Sequence, residues 1–180
     1  MTGLVLHEGG REGVGVVTLN RPELRNPITD DDMIEALLAA LDRLEADTQA
    51  RAAILTGAGK GFSSGGNLNK MGEGIGVSDP NPLNTRRNYK TGIQRLPLAF
   101  SKLEMPIIAA VNGPAMGAGN DLACMCDIRI AGTSARFAEN FVKIGLIPGD
   151  GGAWLLPRVV GRAKACEMAL TGEMLTAEEA

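Results

Sequence analysis

Histidine is almost missing from this chain: His7, near the N-terminus, is the only one in 180 residues. A Ser-His-Asp or Cys-His mechanism needs an imidazole beside its nucleophile, and one histidine so placed argues against both. Cysteine is scarce as well. Cys124, Cys126 and Cys166 cannot all pair with one another, and nothing else points to secretion, so a cytoplasmic chain with reduced thiols is expected. With His7 far away in sequence, Cys124-Met-Cys126 reads as two small hydrophobes in a core, and no metal is expected. An excess of positive charge is lacking too. Eighteen Lys and Arg stand against 21 Asp and Glu, a net charge of −3 with no basic stripe, which argues against nucleic acid as a partner. No apolar run approaches the length of a membrane span, and the N-terminus has no charged-then-apolar leader, so no membrane partner is expected.

What is present fits one core. With 44% hydrophobic residues, 180 residues can bury a single respectable interior, and residues 1–180 read as one domain. Val14 to Leu19, Ala52 to Thr56, Pro106 to Val111 and Asp127 to Ala131 read as strands. The clearest helix is Asp30 to Asp47, where Met33, Ala36, Leu37, Ala40, Leu41 and Leu44 share one face and Thr29 is a candidate N-cap. Gly72 to Leu83 reads as a mobile surface loop, Thr85 to Lys102 as a helix interrupted near Leu96-Pro97, and Gly151 to Val160 and Ala163 to Leu170 as helices. Strands and helices alternate with short connections, which makes the fold class α/β. No internal sequence repeat is visible. Thr176-Ala-Glu-Glu179 has the pattern of a capping box and announces another helix just before Ala180, so a further C-terminal helical portion is expected to be missing.

Two strands run into glycine. After Ile107 to Val111 come Asn112-Gly113-Pro114, then Gly117-Ala118-Gly119 at the start of an apolar helix with Asp121 in its first turn. A helix opened by residues almost without side chains exposes unpaired N–H groups and its positive dipole end, which suits a developing oxyanion. The plain alternative is a tight turn in which glycine only permits unusual dihedrals. After Ala52 to Thr56 comes Gly57-Ala-Gly-Lys-Gly-Phe-Ser-Ser-Gly-Gly-Asn67, a second turn able to offer one N–H to the same oxygen. Nucleotide motifs fail on spacing. Gly57, Gly59 and Gly61 give G-x-G-x-G rather than G-x-G-x-x-G, and a P-loop on Gly59-Lys60 would need glycine where Ile54 stands and Ser or Thr where Gly61 stands.

Phe62 to Met71 resembles the first oxyanion segment of the crotonase, or enoyl-CoA hydratase/isomerase, superfamily, and Val111 to Asp121 resembles the second. Leu19 to Asn26 is similar to that family's early CoA-binding loop, and Gly145 to Gly152 to its late active-site loop, all four in family order. The resemblance implies repeated ββα units wound into a spiral core, and family members are considerably longer than this chain. It implies an acyl-CoA substrate with no separate cofactor, since CoA is part of the substrate, and a homotrimer or hexamer. It assigns the two oxyanion donors to the main chain of Gly66 and Ala118. CoA contacts fall to Arg25 and the main chain around Asn26 and Pro27, with the Phe62 segment, including Ser64, flanking the pantetheine. Lys70 reads as a solvated surface lysine.

The acid–base groups depart from the family's hydratases, which use two glutamates around one water. Asp121 stands at the first of those positions and Phe141, which cannot move a proton, at the second. Phe141 is left as a pocket residue, and Glu139 reads as a solvated surface charge. Asp150, in a loop where relatives place acids, is a candidate base or nucleophile, or else an N-cap of the helix after it. One base suffices to move a proton between the α and γ carbons of an enoyl thioester, so the residues favour isomerisation over hydration. The rival readings are a non-catalytic acyl-CoA-binding relative, and a hydrolase or dehalogenase with Asp150 as nucleophile.

Overall fold

Alternation along the strands sets the first layer. In β2 (Val14–Leu19), β3 (Ala52–Gly57) and β4 (Ile107–Val111) every second side chain is buried. The computed structural model describes residues 3–180 and joins these strands, in parallel, into one sheet in the order β1-β2-β3-β4-β6, with β1 (Val5–Arg11) antiparallel to β2 and β6 (Ile128–Ala131) at the far edge. Parallel neighbours require crossovers. The first is α1 (Asp31–Ala46), whose buried face, Met33, Ile34, Leu37, Ala40, Leu41 and Leu44, enters the main core. Each full side chain of that face contributes roughly 1.5–3 kcal/mol by leaving water.

A second layer is built from shorter pieces. Strands β5 (Pro114–Met116) and β7 (Arg136–Ala138) pair in parallel, and β8 (Met174–Thr176) is antiparallel to β7. Single bridges extend this layer: Ser63 pairs with Ala115, and Pro27 with Gly65. Each strand of the first sheet is therefore followed by an extended stretch in the second: β2 by Pro27, β3 by Ser63 to Gly65, β4 by β5, and β6 by β7. This is the α/β spiral of ββα units that the family resemblance implied, and it is hidden in the sequence because the repeats share geometry rather than residues.

Gly65 holds two of these turns together. Its φ of +76° is left-handed, and a Cβ there would lie 2.3 Å from Met116 O and 2.9 Å from Ala118 N. Gly65→Ala is expected to destabilise the fold by about 3 kcal/mol or more, combining left-handed strain with a backbone collision. A urea midpoint that falls at unchanged m-value checks it.

Two expectations shift, and a third holds. Thr29 does not cap α1: Asp30 precedes the helix, and Thr29 Oγ1 instead accepts from Asn67 N at 3.0 Å. The helical stretch after the loop breaks at 92–94, giving α3 (Pro82–Thr91) and α4 (Arg95–Phe100), not near Pro97. Pro97 is the third residue of α4, where its missing N–H leaves no intrahelical bond unmade. The capping box at Thr176 forms, with Thr176 N donating to Glu179 Oε2 at 2.8 Å and Glu179 N to Thr176 Oγ1 at 3.3 Å. The remaining helices are α2 (Leu68–Gly72), α5 (Ala118–Met125), α6 (Gly152–Val160) and α7 (Arg162–Thr171).

Candidate active site

Ser63, fully buried, fixes the first turn. Its Oγ accepts from Gly65 N at 3.1 Å and donates to Asn26 O at 2.8 Å, while Ser63 O accepts from Met116 N at 3.0 Å. The turn is thereby tied to the segment that leads into α5. Among the described residues, neither Gly66 N–H nor Ala118 N–H donates to a protein acceptor. Ala118 opens α5, so its N–H is one of those a helix start leaves free and lies at the positive end of the dipole. Both residues line one narrow cleft of about 90 Å³, together with Ser64, Tyr89, Phe141 and Asp150. Two free donors facing a small, partly apolar space suit a thioester carbonyl oxygen that gains charge.

The acids converge behind that cleft. Asp121 is 0% exposed, Glu139 1% and Asp150 2%. Asn120 Nδ2 donates to Glu139 Oε2 at 3.0 Å, whereas both Asp121 oxygens, Glu139 Oε1 and Asp150 Oδ1 have no donor. Among the described residues, no Lys, Arg or His pairs with any of them. Burial, then the charge of Asp150, then that of Glu139, pushes the Asp121 carboxyl well above the usual range. Burial also raises Asp150, and it lifts Glu139 to about 7. Tyr89 is raised by burial and by the Asp150 charge.

Gly152 shows how closely these groups are packed: a Cβ on it would lie 2.2 Å from Asp121 Oδ1. The start of α6 can approach the Asp121 carboxyl only because it carries glycine there. Asp150 is not an N-cap, since Gly151 occupies that position and no side chain caps α6. Its loop is held by α3 and the turn that follows: Gln94 Nε2 donates to Gly149 O at 2.6 Å, and the Tyr89 ring lies against Gly149.

A carboxyl raised by burial binds its proton more tightly in the folded state, so it stabilises at low pH and loses that contribution as pH rises through the folded value. Glu139, moving from an ordinary 4.5 to about 7, accounts for a loss of about 3 kcal/mol between pH 5 and pH 8, and Asp121 and Asp150 act in the same direction. Asp32, lowered by its hydrogen bond from Arg21, acts oppositely and only at more acid pH. Thermal midpoints are therefore expected to fall across that interval, with Asp121→Asn flattening the fall. A rise with pH would mean the cluster is ionised.

Gly66, Ala118, Ser64, Phe141 and Asp150 are thus brought together at the cleft, while the side chains at other anticipated positions pack into the interior. Asn26 and Phe62 are each 0% exposed, so neither side chain can touch a ligand. Asn26, with a left-handed φ of 55°, donates through Nδ2 to the carbonyls of Ala58, Gly61 and Phe62 and accepts from Arg21 N. It locks the CoA-loop candidate onto the first oxyanion turn, and Phe62 fills the core beneath. Arg25 is exposed beside it, also at positive φ. Asp121 lies behind the cleft wall rather than in it. Lys70 is not a free surface lysine: its Nζ pairs with the buried Asp30 at 3.1 Å, which also receives Arg21 at 3.0 Å. Glu139 is not a surface charge either, because the end of β7 turns it inward onto Asn120. Only the neighbouring apolar Phe137-Ala138 hinted at that, and nothing in the sequence pointed Tyr89 at the cleft.

Cys124 and Cys126 are buried, and burial pushes both thiols up, Cys124 to about 12. Among the described residues, no group of three or more His, Cys, Asp or Glu side chains is placed to hold a metal ion.

Residues 9–180 match the family model described as enoyl-CoA hydratase/isomerase. The chain is 45% identical over 172 residues to the 1,2-epoxyphenylacetyl-CoA isomerase of Escherichia coli K12, covering 94% of this chain and 63% of that protein. It is 44% identical over 171 residues to a probable enoyl-CoA hydratase of Rhodobacter capsulatus, covering 94% and 62%. Among solved structures it resembles a putative enoyl-CoA hydratase/isomerase of Mycobacterium abscessus, with a TM-score of 0.88 at 32% identity over 97% of this chain and 65% of that one. The chain thus spans less than two thirds of the length of these curated relatives.

Proposed function

The chain belongs to the enoyl-CoA hydratase/isomerase family, and from that premise we propose that it moves the double bond of an enoyl-CoA thioester through an enolate held at Gly66 and Ala118. The observation that carries this reading is the single carboxyl, Asp150, on the wall of the cleft that the two free N–H groups share. Phe141, at the position of the family's second glutamate, leaves the cleft without a second acid around which a water could be held. One base that removes an α proton and returns it at the γ carbon is what isomerisation needs, and hydration needs more.

Asp150 takes the proton, the C–H electron pair passes into the thioester carbonyl, and the oxyanion accepts from Gly66 and Ala118 N–H. Return of the proton at the γ carbon restores the carbonyl. The reaction is redox-neutral and asks for no cofactor beyond the CoA of the substrate. Arg25, exposed and with its carbonyl accepting from Ser64 N, would meet the CoA phosphates, and Ser64 the pantetheine.

Cytoplasmic acyl-CoA metabolism, as in fatty-acid turnover, and assembly as trimers or hexamers belong to the same reading. The exposed Ile147, Trp154 and Leu170 supply apolar surface that assembly would cover. Among the described residues, no helix is long and apolar enough to cross a membrane.

Proton NMR of a short 3-enoyl-CoA with the protein in heavy water tests the proposal. Migration of the double bond into conjugation, with deuterium entering the substrate, is expected. Binding of the CoA ester with an unchanged spectrum would instead favour the non-catalytic acyl-CoA binder, and release of free CoA would favour the hydrolase.

A further inference from the structure

Asp121 has two carboxyl neighbours, and among the described residues no cation pairs with it. The start of α6, two residues past Asp150, packs on the Asp121 carboxyl from one side. On the other, Asn120, its neighbour on α5, donates to Glu139 at 3.0 Å, and among the described residues neither Asp121 oxygen has a donor. Three ionised carboxylates cannot hydrogen-bond one another, and burying three such charges beside one amide is prohibitively costly. A proton between them makes both contacts at once intelligible. Only Asp150 faces the cleft. Asn120, at the other end, borders a separate, larger cavity of about 730 Å³ that Arg129, Phe137 and Met168 help to line.

We propose that Glu139, held by Asn120, is a positioning residue at the inner end of a proton-sharing row, Glu139–Asp121–Asp150, through which the base at the cleft is loaded and unloaded. The inference rests on the proton transfer proposed above. At rest the row carries one proton, on Asp121, and Asp150 is the ionised base. When Asp150 takes the substrate's α proton, the C–H electron pair goes to the thioester oxygen. Asp150 then donates its new O–H to Asp121, whose own proton passes to Glu139, so the row holds two protons and the enolate one negative charge. Reprotonation at the γ carbon runs the same shifts backwards, and no other reactant is needed.

The groups facing Glu139 and Asp121 are Asn120 and the neutral Cys124 thiol from α5, Asp150 from the loop, and the start of α6. Tyr89 faces Asp150 from α3, Lys143 lines the same cleft as Asp150 without forming an ion pair with it, and Arg129 of β6 acts on Cys124 rather than on the carboxyls.

Infrared spectroscopy of the protein alone tests the row without any substrate. A protonated-carboxyl C=O stretch is expected at neutral pH, sensitive to heavy water, and Glu139→Gln should shift or remove it. With a short 3-enoyl-CoA, Glu139→Gln should slow exchange at least about tenfold and alter the pH profile of turnover, while Glu139→Asp recovers part of both. Absence of an acid band in the unmutated protein, or a Glu139→Gln variant with the original band and pH profile, would overturn the proposal. An acid band that responds to Glu139→Gln in a protein without turnover would keep the row and refute the isomerase reading alone.

Discussion

Asp150→Asn is expected to lower α-proton exchange on a short 3-enoyl-CoA by roughly 10²–10⁴-fold, the usual contribution of a positioned general base. The expectation rests on placement. Asp150 lines the same cleft as Gly66 and Ala118, and Tyr89 and Gln94 hold its loop. The fold should survive, because an amide can donate to the Asp121 carboxyl and removes one buried acid from a crowded row. Above pH 7 the variant should melt no lower than the unmutated protein, and calorimetry should find its affinity for the CoA ester little changed. Loss of turnover with binding intact is the pattern of a group that acts only in the transition state. Turnover that survives the substitution would move the base elsewhere.

Ala118→Pro separates the oxyanion donor from everything else in its turn. Proline is accepted at the first position of a helix, where the N–H it lacks has no intrahelical partner. Ala118 is that residue in α5, so secondary structure should persist. The substitution removes one N–H from the cleft, and the expected loss in turnover is roughly 10²–10³-fold. Ala118→Gly keeps the N–H and serves as the comparison, with a loss below about tenfold. Equal effects from the two variants would mean the carbonyl oxygen is held by other groups.

Glu139 shows where a linear reading stops. An isolated glutamate two residues from Phe141 carries no sign of burial, and surface is its default. The turn at the end of β7 puts it beside Asn120, a residue distant in sequence and with no apparent role there. Lys70 and Asp30 were in the same position, a surface charge and a helix start until the fold set them 3.1 Å apart. The main chain around Asn26 was read as a ligand contact, and nothing local showed that the Asn26 side chain would serve three carbonyls of another loop.

The sequence alone determined the elements and the chemistry of the turns. Apolar alternation set the strands, the spacing from Met33 to Leu44 set the longest helix, and small residues at Gly65-Gly66 and Gly117-Ala118 marked where main chain could meet a ligand. These are local properties, decided within a few residues by period and side-chain size. Which of the anticipated acids reaches the cleft, which stays behind it, and which third acid completes the row were settled by tertiary structure alone. Burial and the pairing of charges depend on segments far apart in the chain, and no local pattern records them.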